Sequence, residues 1–390
     1  MLVRSTSFAA VIFKAKGGSM IYRPLGSTGL NVSQLGFGAM RLPTRRLNGN
    51  EVVDRDLAIP MIHRAFAAGV NYIDTAVGYC NEDSQRAVGE AIKGWRNKVI
   101  VSTKNPYYGA DEAVWWKNLE NSLQRLGVDV IDVYSFHGIT RQKLQEHIQP
   151  LMHKWAIKAR DRGLVRHIGC SFHDDNDTLR LAVDSGLFES ITLQYNLLDR
   201  RLADGIAHAH RKRLGVVVMG PIAGGRLGMS SDVLTQAVPH IQRAPELALR
   251  FVLTNPYVSL ALSGMSALQQ VEDNLTVAAE NRALSPHEIS LIEEHFNRLK
   301  SMADLYCTAC LYCLPCPHNV RIPQVFEIHN RGRVYGLWAN ARGRYKELLA
   351  TPDWSGPHKC IGCGICETKC PQKISIRKQL QEAHRALSEQ

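Results

Sequence analysis

Several common sequence signals are missing from this 390-residue chain, and each absence excludes a class of protein. No run of about 18 consecutive apolar residues occurs, so the sequence predicts no membrane-spanning helix. No GxGxxG motif follows the first predicted strand, which argues against an open, doubly wound nucleotide-binding sheet. No basic run is interleaved with aromatic residues, so nothing indicates nucleic-acid binding. Acidic residues are outnumbered, and the formal net charge of +11 favours an anionic cofactor or an acidic protein partner.

Cysteine is abundant but is confined to one part of the chain. Of ten cysteines, eight lie within residues 307–370, and the other two are Cys80 and Cys170, which we interpret as ordinary barrel cysteines. The apolar run Phe8–Phe13 is too short for the core of a secretory signal peptide. We therefore expect residues 1–19 to be a disordered extension and the protein to be cytoplasmic, with reduced thiols.

Short apolar runs alternate with amphipathic stretches along the first two-thirds of the chain. The predicted strands are Gln34–Gly38, Asn71–Asp74, Val99–Thr103, Val130–Phe136, His167–Ser171, Ile191–Asn196, Gly215–Gly220 and Ser259–Gly264. The predicted helices between them include Ala58–Ala68, Ser84–Lys93, Glu112–Leu126, Leu144–Arg162 and Pro245–Leu253. A strand followed by a helix, repeated eight times, predicts an α/β fold in which parallel strands close into a (β/α)8 TIM barrel.

Polar residues lie at or near the ends of five successive predicted strands. They are Asp74, Lys104, His137, Ser171 and Gln194. A single polar residue at a strand end is common, but the C-terminal ends of barrel strands converge on one face, where barrel enzymes have their active sites. The series therefore predicts an active site on that face.

Four residues near these strand ends have the chemistry needed to reduce a carbonyl: Asp74, Tyr79, Lys104 and His137. Hydride addition leaves an alkoxide that needs a proton, and a phenol with a pKa of about 10 is a weak acid at neutral pH. We expect the Lys104 ammonium to lower the pKa of Tyr79, and Asp74 to fix that ammonium in place. His137 can hydrogen-bond the carbonyl oxygen and orient it. Taken alone, Tyr79 would be an aromatic residue at the rim of the barrel, and His137 a hydrogen-bonded histidine at a strand end. Together with Asp74 and Lys104 they predict a catalytic group.

Four segments closely resemble the aldo-keto reductase family: LGSTGLNVSQLGFGAMRLP, NYIDTAVGY, VSTK and YSFHG. The similarity extends over about Ile21–Asn281. The resemblance implies that Tyr79 is the general acid, that Lys104 and Asp74 tune it, and that His137 orients the substrate. It also implies a nicotinamide cofactor, usually NADPH, bound without a Rossmann motif, and a small aldehyde, ketone or sugar as substrate.

The resemblance implies positions for the nicotinamide as well. Gln194 and Ser171 match residues that bind its carboxamide, although Phe172 follows Ser171 where the family usually has asparagine. Met219 would replace the aromatic ring that often stacks on the nicotinamide.

Two further segments match the family's phosphate and adenosine contacts. The candidates are Gly220 and Gly224 in a glycine-rich loop, and Gly264, Ser266, Gln270 and Asn274 in a strand-to-helix turn. We expect Ser266 to cap the helix, whose N-terminal amides attract anions. The turn has no lysine or arginine, so the preference for NADP over NAD rests on the resemblance.

Two cysteine runs, CTACLYCLPCPHNVRIP and CIGCGICETKCPQKI, end the chain. The second spaces Cys360, Cys363, Cys366 and Cys370 as a bacterial ferredoxin does for a [4Fe–4S] cluster, and a proline follows. The first contains Cys307, Cys310, Cys313 and Cys316, with a last spacing one residue short. Four cysteines also suit tetrahedral Zn²⁺, but ligation by sulfur alone and the trailing proline favour iron–sulfur.

Paired runs of this kind resemble dicluster ferredoxins, in which the last cysteine of each run ligates the other cluster. The resemblance implies one cluster on Cys307, Cys310, Cys313 and Cys370. It implies a second cluster on Cys360, Cys363, Cys366 and Cys316. One cluster with an irregular structural site is the alternative.

The segment between the two runs, 323–350, is predicted to be largely helical. We therefore predict a small C-terminal α-helical ferredoxin-like domain over residues 301–390, after a barrel domain over residues 20–300. The domain has few large apolar side chains, so metal binding should supply much of its folding energy. A barrel joined to such a tail resembles a bacterial subgroup of aldo-keto reductases.

Two functions stay open at this point. The first is a reductase, or the reverse dehydrogenase, acting on a small carbonyl or sugar. The second is an electron-transfer or docking protein in which the barrel is a scaffold. Hydride transfer moves two electrons together whereas a [4Fe–4S] cluster moves one, so the second function needs a flavoprotein or ferredoxin partner.

Overall fold

The computed structural model describes residues 19–223, 227, 238, 240–280, 282–301, 307, 313–352, 355–370 and 374–389. Within them the strands are β1 (Tyr22–Pro24), β2 (Asn31–Ser33), β3 (Leu35–Gly38), β4 (Thr44–Leu47), β5 (Asn50–Val53), β6 (Tyr72–Asp74), β7 (Ile100–Asn105), β8 (Ile131–Ile139), β9 (Val165–Phe172), β10 (Ser190–Gln194), β11 (Gly215–Met219) and β12 (Leu260–Gly264).

The α-helices within the same residues are α1 (Arg55–Ala67), α2 (Ser84–Ala91), α3 (Glu112–Leu126), α4 (Arg141–Lys143), α5 (His153–Asp161), α6 (Asn176–Asp184), α7 (Ala203–Arg211), α8 (Ala244–Thr254), α9 (Leu268–Ala279), α10 (Pro286–Ser301), α11 (Ile322–Tyr335), α12 (Trp338–Leu349), α13 (Ile365–Thr368) and α14 (Ile376–Ser388). A π-helical segment, Leu144–Met152, joins α4 to α5. None of the helices in the described ranges is long and apolar enough to cross a membrane.

Eight parallel strands close into a barrel in the order β3, β6, β7, β8, β9, β10, β11, β12, and β12 pairs with β3. These are the eight strands that the sequence predicts, so the predicted barrel is confirmed. They form because most of them are short apolar runs that a parallel sheet buries on both faces. In β11, for example, Val216, Val217 and Val218 are all fully buried.

Three of the helices around the barrel begin at a capping aspartate. The Asp111 side chain accepts a hydrogen bond from the Ala113 amide at the start of α3. Gly127 ends this helix in the left-handed conformation, with φ 63°. The parallel pairing of all eight barrel strands brings their C-terminal ends to the same face.

The β1–β2 hairpin packs against the N-terminal ends of the barrel strands. Its Leu25 and Val32 share a buried cluster with Tyr72, Val217 and Leu260. The turn lies so close to the barrel that a Cβ built on Gly26 would be 2.3 Å from the Gly215 amide nitrogen. Only glycine fits there, because Gly26 also has a φ of 58°.

Helices α11, α12 and α14 pack around a hydrophobic core near the C-terminus. This core includes Val325, Phe326, Tyr345, Leu380 and Leu387, all nearly inaccessible to solvent. This region therefore has a hydrophobic core of its own, because a few large side chains at helical spacing are enough to fill the space between three helices. That metal binding adds to its folding energy stays a prediction.

The chain divides into two compact units. The first contains the residues up to Tyr195, Arg201–Met219 and Asn255–Arg282, and it includes all eight barrel strands. The second contains Asn196–Arg200, Gly220–Thr254 and the residues from Ala283 onward.

The Gly26 turn gives a matched pair of stability tests. We expect Gly26→Ala to destabilise the protein by about 3 kcal/mol or more, because an unfavourable φ is added to a clash with backbone atoms. Gly29→Ala, in the same hairpin, should cost only about 1–2 kcal/mol, since its φ is 78° but nothing lies within 4 Å of its Cβ position. Chemical denaturation of both variants measures the difference; equal losses would contradict the close approach at Gly26.

Candidate active site

Lys104 lies at the C-terminal end of β7, and its side chain is only 2% exposed. Its Nζ is 2.6 Å from Asp74 Oδ2 and donates to the Thr75 carbonyl oxygen at 2.8 Å. The Ser102 hydroxyl donates to the other carboxylate oxygen of Asp74 at 2.9 Å. Burial lowers the pKa of Lys104, but Asp74 and Tyr79 outweigh it, so the net pKa is raised. A charged ammonium is therefore held in the barrel interior.

The same ammonium contacts the phenol of Tyr79. Nζ of Lys104 donates to the Tyr79 hydroxyl oxygen at 3.2 Å and lies 4.8 Å from the ring centroid. Burial raises the pKa of Tyr79, and although Lys104 lowers it, the net pKa is raised. The expected fall in the pKa of Tyr79 is thus opposed by desolvation. The hydroxyl keeps its proton at neutral pH while its oxygen accepts from Lys104.

His137 reaches the site through a bulge in β8. The register of β8 against β9 shifts between Phe136 and Ile139, and Gly138 has a φ of 68°. Bulges of this kind redirect a side chain, often beside an active site. The His137 ring stands edge-on to the Tyr79 ring, with 6.0 Å between centroids. Burial, helped by the nearby cations, lowers the pKa of His137 to about 4, so the ring is neutral and has one N–H to donate.

The loop that carries Tyr79 has an unusual backbone that sequence patterns did not reveal. Cys80, Asn81 and Glu82 have φ values of 50°, 52° and 66°. Three successive non-glycine residues in this region cost free energy, and such strain persists only where surrounding contacts impose it. Here Asp83 forms a two-point ion pair with Arg55 and accepts from a backbone amide of β5. Ion pairs thus hold the turn that positions Tyr79.

Three of the predicted nicotinamide contacts lie at the ends of adjacent strands. Ser171 is buried at the end of β9, and its Oγ accepts from the Gly138 amide at 2.7 Å, which leaves its O–H free to donate. Gln194 and Met219 are paired partners at the ends of β10 and β11. Both side chains are half-buried. The barrel therefore places a hydroxyl, an amide and a thioether in a row.

The strand-to-helix turn after β12 differs from the expectation in one detail. Ala267, not Ser266, is the N-cap residue of α9, so the predicted serine cap is wrong. Gln270, the third residue of the helix, reaches back and accepts from the Ser266 amide at 2.8 Å. In a capping box the glutamine at this helix position accepts from the amide of the N-cap residue, whereas here it accepts from the amide one residue earlier. Asn274 is buried, and its side-chain amide donates to Ser263 Oγ at 2.9 Å. This hydrogen bond joins α9 to the end of β12 across the turn.

A cation that sequence reasoning missed lies beside this turn. The Arg41 side chain packs on Gly264, with its Cδ 3.4 Å from the position of a built Cβ. Arg41 comes from the loop after β3, which neighbours β12 only because the barrel closes there. No local pattern around Gly264 signals this arginine.

The glycine-rich loop after β11 is described only in part. Gly220 has a φ of 62°, and its carbonyl oxygen accepts from Asn196 Nδ2 at 3.1 Å and from the Ala223 amide at 2.8 Å. Gly224, a predicted pyrophosphate contact, lies outside the described residues.

The second compact unit contains a candidate metal centre. One cavity in it is lined by Cys313, Cys316, Cys360, Cys363 and Cys366, together with His318 and several apolar residues. The first two cysteines belong to the first run and the other three to the second run. The cavity therefore includes all four cysteines predicted for one cluster: Cys316, Cys360, Cys363 and Cys366.

The remaining predicted ligands are less fully described. Cys307 and Cys370 pack against the same hydrophobic core as Cys313, whereas Cys310 lies outside the described residues. Burial raises the pKa of the Cys366 thiol, and Glu367, Cys360 and Cys316 add to the effect. Metal binding must therefore displace a firmly held proton.

In the described ranges, no three histidine, cysteine, aspartate or glutamate side chains gather closely enough to hold one metal ion.

Removing one partner of the buried ion pair should be costly. We expect Asp74→Asn to destabilise the protein by about 3–5 kcal/mol, because the Lys104 ammonium is left buried without a counter-charge. The double variant Asp74→Asn/Lys104→Met should recover most of that loss. Asp56→Asn is the matched control: its side chain is 81% exposed in a surface pair, and it should cost about 1 kcal/mol or less. Urea unfolding decides; a double variant no more stable than Asp74→Asn would contradict the buried-charge argument.

Comparison with known proteins matches both parts of the chain. The model of the aldo/keto reductase family matches residues 34–244. That of the 4Fe-4S dicluster domain matches residues 306–380.

Individual relatives cover the same share of the chain. L-galactose dehydrogenase of Arabidopsis thaliana is 30% identical over 299 residues, which is 70% of this chain and 92% of that protein. The NADH-specific methylglyoxal reductase of Escherichia coli is 29% identical over 324 residues, covering 70% and 97%. The holo form of aldo-keto reductase AKR11C1 from Bacillus halodurans superimposes with a TM-score of 0.62 at 28% identity, covering 71% of this chain and 96% of that one. The chain thus belongs to the aldo-keto reductase family of oxidoreductases and carries a C-terminal 4Fe–4S dicluster domain.

Proposed function

We propose that the protein is an NAD(P)H-dependent reductase that transfers a hydride between the nicotinamide and a small aldehyde, ketone or sugar. The observation that carries the proposal is the position of Lys104 Nζ, which contacts the Asp74 carboxylate at 2.6 Å and the Tyr79 hydroxyl at 3.2 Å. A protonated phenol whose oxygen accepts a hydrogen bond from an ammonium is suited to give its proton to an alkoxide.

Each of the four residues has a distinct part in this proposal. Tyr79 donates its hydroxyl proton to the carbonyl oxygen, and Lys104 stabilises the phenolate that remains. Asp74 keeps Lys104 charged and in place. His137, neutral at physiological pH, donates an N–H to the same oxygen and orients the substrate. When bound, the nicotinamide supplies the hydride.

The proposed cofactor contacts follow the strand ends. Ser171 can donate its free O–H, and Gln194 its amide, to the carboxamide of the nicotinamide, while Met219 packs against the ring. Gly220, Gly224, Gly264, Ser266, Gln270 and Asn274 remain proposed contacts to the rest of the dinucleotide. The Arg41 cation beside Gly264 favours phosphate binding there. We propose NADPH as the preferred cofactor, although the name of the E. coli relative specifies NADH.

The C-terminal segment is proposed to hold two [4Fe–4S] clusters. Cys316, Cys360, Cys363 and Cys366 would ligate one; Cys307, Cys310, Cys313 and Cys370 would ligate the other. Residues 20–300 would form the reductase domain and residues 301–390 the cluster domain. No disulfide joins the cysteines that the structure describes, and we propose a cytoplasmic location for the protein.

One observation favours electron transfer as a second function. Cys363 is exposed, and its neighbour Ile361 is 67% exposed, so a cluster held there would lie close to the surface. An electron could then pass to a flavoprotein or ferredoxin partner. Such a partner has to separate the two electrons of a hydride into single steps.

The proton-donor assignment is tested with Tyr79→Phe. We expect carbonyl reduction to fall by about 10²- to 10⁴-fold, because the proton donor is lost, while NADPH binding is nearly unchanged. Turnover is followed by nicotinamide absorbance and binding by fluorescence quenching, with Tyr257→Phe on the surface as the control. Turnover of Tyr79→Phe within about threefold of the unmodified protein would refute the assignment.

Metal analysis tests the cluster assignment. Protein purified without oxygen should be brown and contain about eight irons per chain, and Cys363→Ala should contain about four. Cys80→Ala, outside the two runs, should retain the full content. Colourless protein with stoichiometric zinc would refute the iron–sulfur proposal, and about four irons in the unmodified chain would indicate a single cluster.

A further inference from the structure

Beside the four proposed catalytic residues lies a second group of polar side chains that the proposed reaction does not use. Lys143, the last residue of α4, donates from Nζ to the Gly138 carbonyl oxygen at 2.8 Å. The same Nζ lies 4.2 Å from the ring centroid of Tyr108, whose hydroxyl donates to the His137 carbonyl oxygen at 3.0 Å. Lys143 is therefore fixed against the peptide that follows His137.

His173, which follows β9, borders the same place. A Cβ built on Gly138 would lie 3.7 Å from His173 Cδ2 and 3.9 Å from Lys143 Nζ. Since Gly138 has no side chain, the space between the ammonium and the imidazole is left open beside His137. Lys143 reaches it from α4, which follows β8, and His173 reaches it from the segment that follows β9.

The positive charge of Lys143 has no counter-charge among the described residues. No carboxylate there lies within ion-pair distance of its Nζ. The nearest acidic residues in sequence to His173 are occupied elsewhere: Asp174 accepts from the Arg141 and Asp175 amides, and Asp175 caps α6. Burial lowers the pKa of Lys143, and the pKa of His137 is lowered by burial, then by Lys104, His173 and Lys143.

The hydrogen-bond donors of the pair are also incompletely used. An ammonium has three N–H groups, and Lys143 gives one to Gly138. Within the part of the chain that the structure describes, two donors of Lys143 and one ring N–H of His173 have no acceptor, so they are left for a ligand. A group with several acceptor oxygens and a negative charge satisfies both the donors and the charge.

We propose that Lys143 and His173 bind an anionic group of the substrate, a carboxylate or a phosphate, so that the preferred substrates are small carbonyl compounds carrying such a group. This inference rests on the proposed reductase function. Contacts at the anionic end hold the carbonyl oxygen next to His137, which raises the effective concentration of the reacting group.

Matched substrate pairs test the inference. Butanal is compared with 4-oxobutanoate, and glyceraldehyde with glyceraldehyde 3-phosphate, so that a carboxylate and a phosphate are examined separately. We expect the unmodified protein to favour the anionic member of at least one pair by about tenfold or more in kcat/KM. In Lys143→Met, kcat/KM for that anionic member should fall by about 10- to 100-fold, mainly through KM, while its neutral counterpart changes less than about twofold.

Three further variants separate charge from structure. Lys143→Arg should keep most of the preference, because it keeps the positive charge. His173→Phe should lose part of it. Lys117→Met, on the exposed surface of α3, should leave both kinds of substrate unchanged.

Two kinetic outcomes would overturn the inference. One is an unmodified protein that reduces neutral and anionic members equally well. The other is an equal loss for both members in Lys143→Met, which would mean that Lys143 only supports the bulge that carries His137. Either result leaves the proposed reductase function intact, since Tyr79-dependent reduction would still be seen.

A binding measurement decides the matter without turnover. Acetate or inorganic phosphate should raise the Tm of the unmodified protein, and the rise should be absent from Lys143→Met. An equal rise in both proteins, or none in either, would overturn the inference. If the unmodified protein reduces none of the four compounds, the proposed function fails, and the Tm comparison still tests the anion site.

Discussion

A single buried ion pair, between Lys104 and Asp74, constrains the active-site end of the barrel. An ammonium inside a barrel is stable only beside a counter-charge and with its N–H groups satisfied. The strand register meets both conditions, because β6 and β7 pair so that Asp74 is opposite Ser102, next to Lys104. The remaining donor of Lys104 reaches Tyr79. The Lys104 ammonium that Asp74 stabilises inside the barrel is thus also the charge that acts on the Tyr79 hydroxyl.

The parts of this arrangement that depend on local pattern could be predicted from sequence. The positions of the strands follow from short apolar runs, and Asp74, Lys104 and His137 are visible because each comes at or directly after the end of such a run. The sequence predicts a continuous helix before α5 and does not predict its π-helical segment. The segment contains Pro150, which cannot donate the usual backbone hydrogen bond, and the helical pitch changes around it. The β4–β5 hairpin was also missed, although its Asn48–Gly49 turn is a recognised hairpin signal.

Other features depend on contacts between distant residues and have no local signal. Arg41 meets Gly264 only because the first and last strands of the barrel pair. The pKa of Tyr79 is set by a competition between burial and a nearby charge, and its outcome depends on how deeply the loop lies in the fold. The strained turn after Tyr79 is similar: nothing in Cys80, Asn81 and Glu82 indicates left-handed backbone until their surroundings are known.

The cysteine-lined cavity has a consequence for how the protein matures. Its walls come from two runs separated by helices α11 and α12, so neither run can build it alone. During synthesis, the barrel strands leave the ribosome before Cys360 exists. A cluster of the kind proposed for this cavity would therefore be assembled late, after both cysteine runs have been synthesised. In a cell that runs short of iron, the proposed site would remain as thiols in chains whose barrel sequence is already complete.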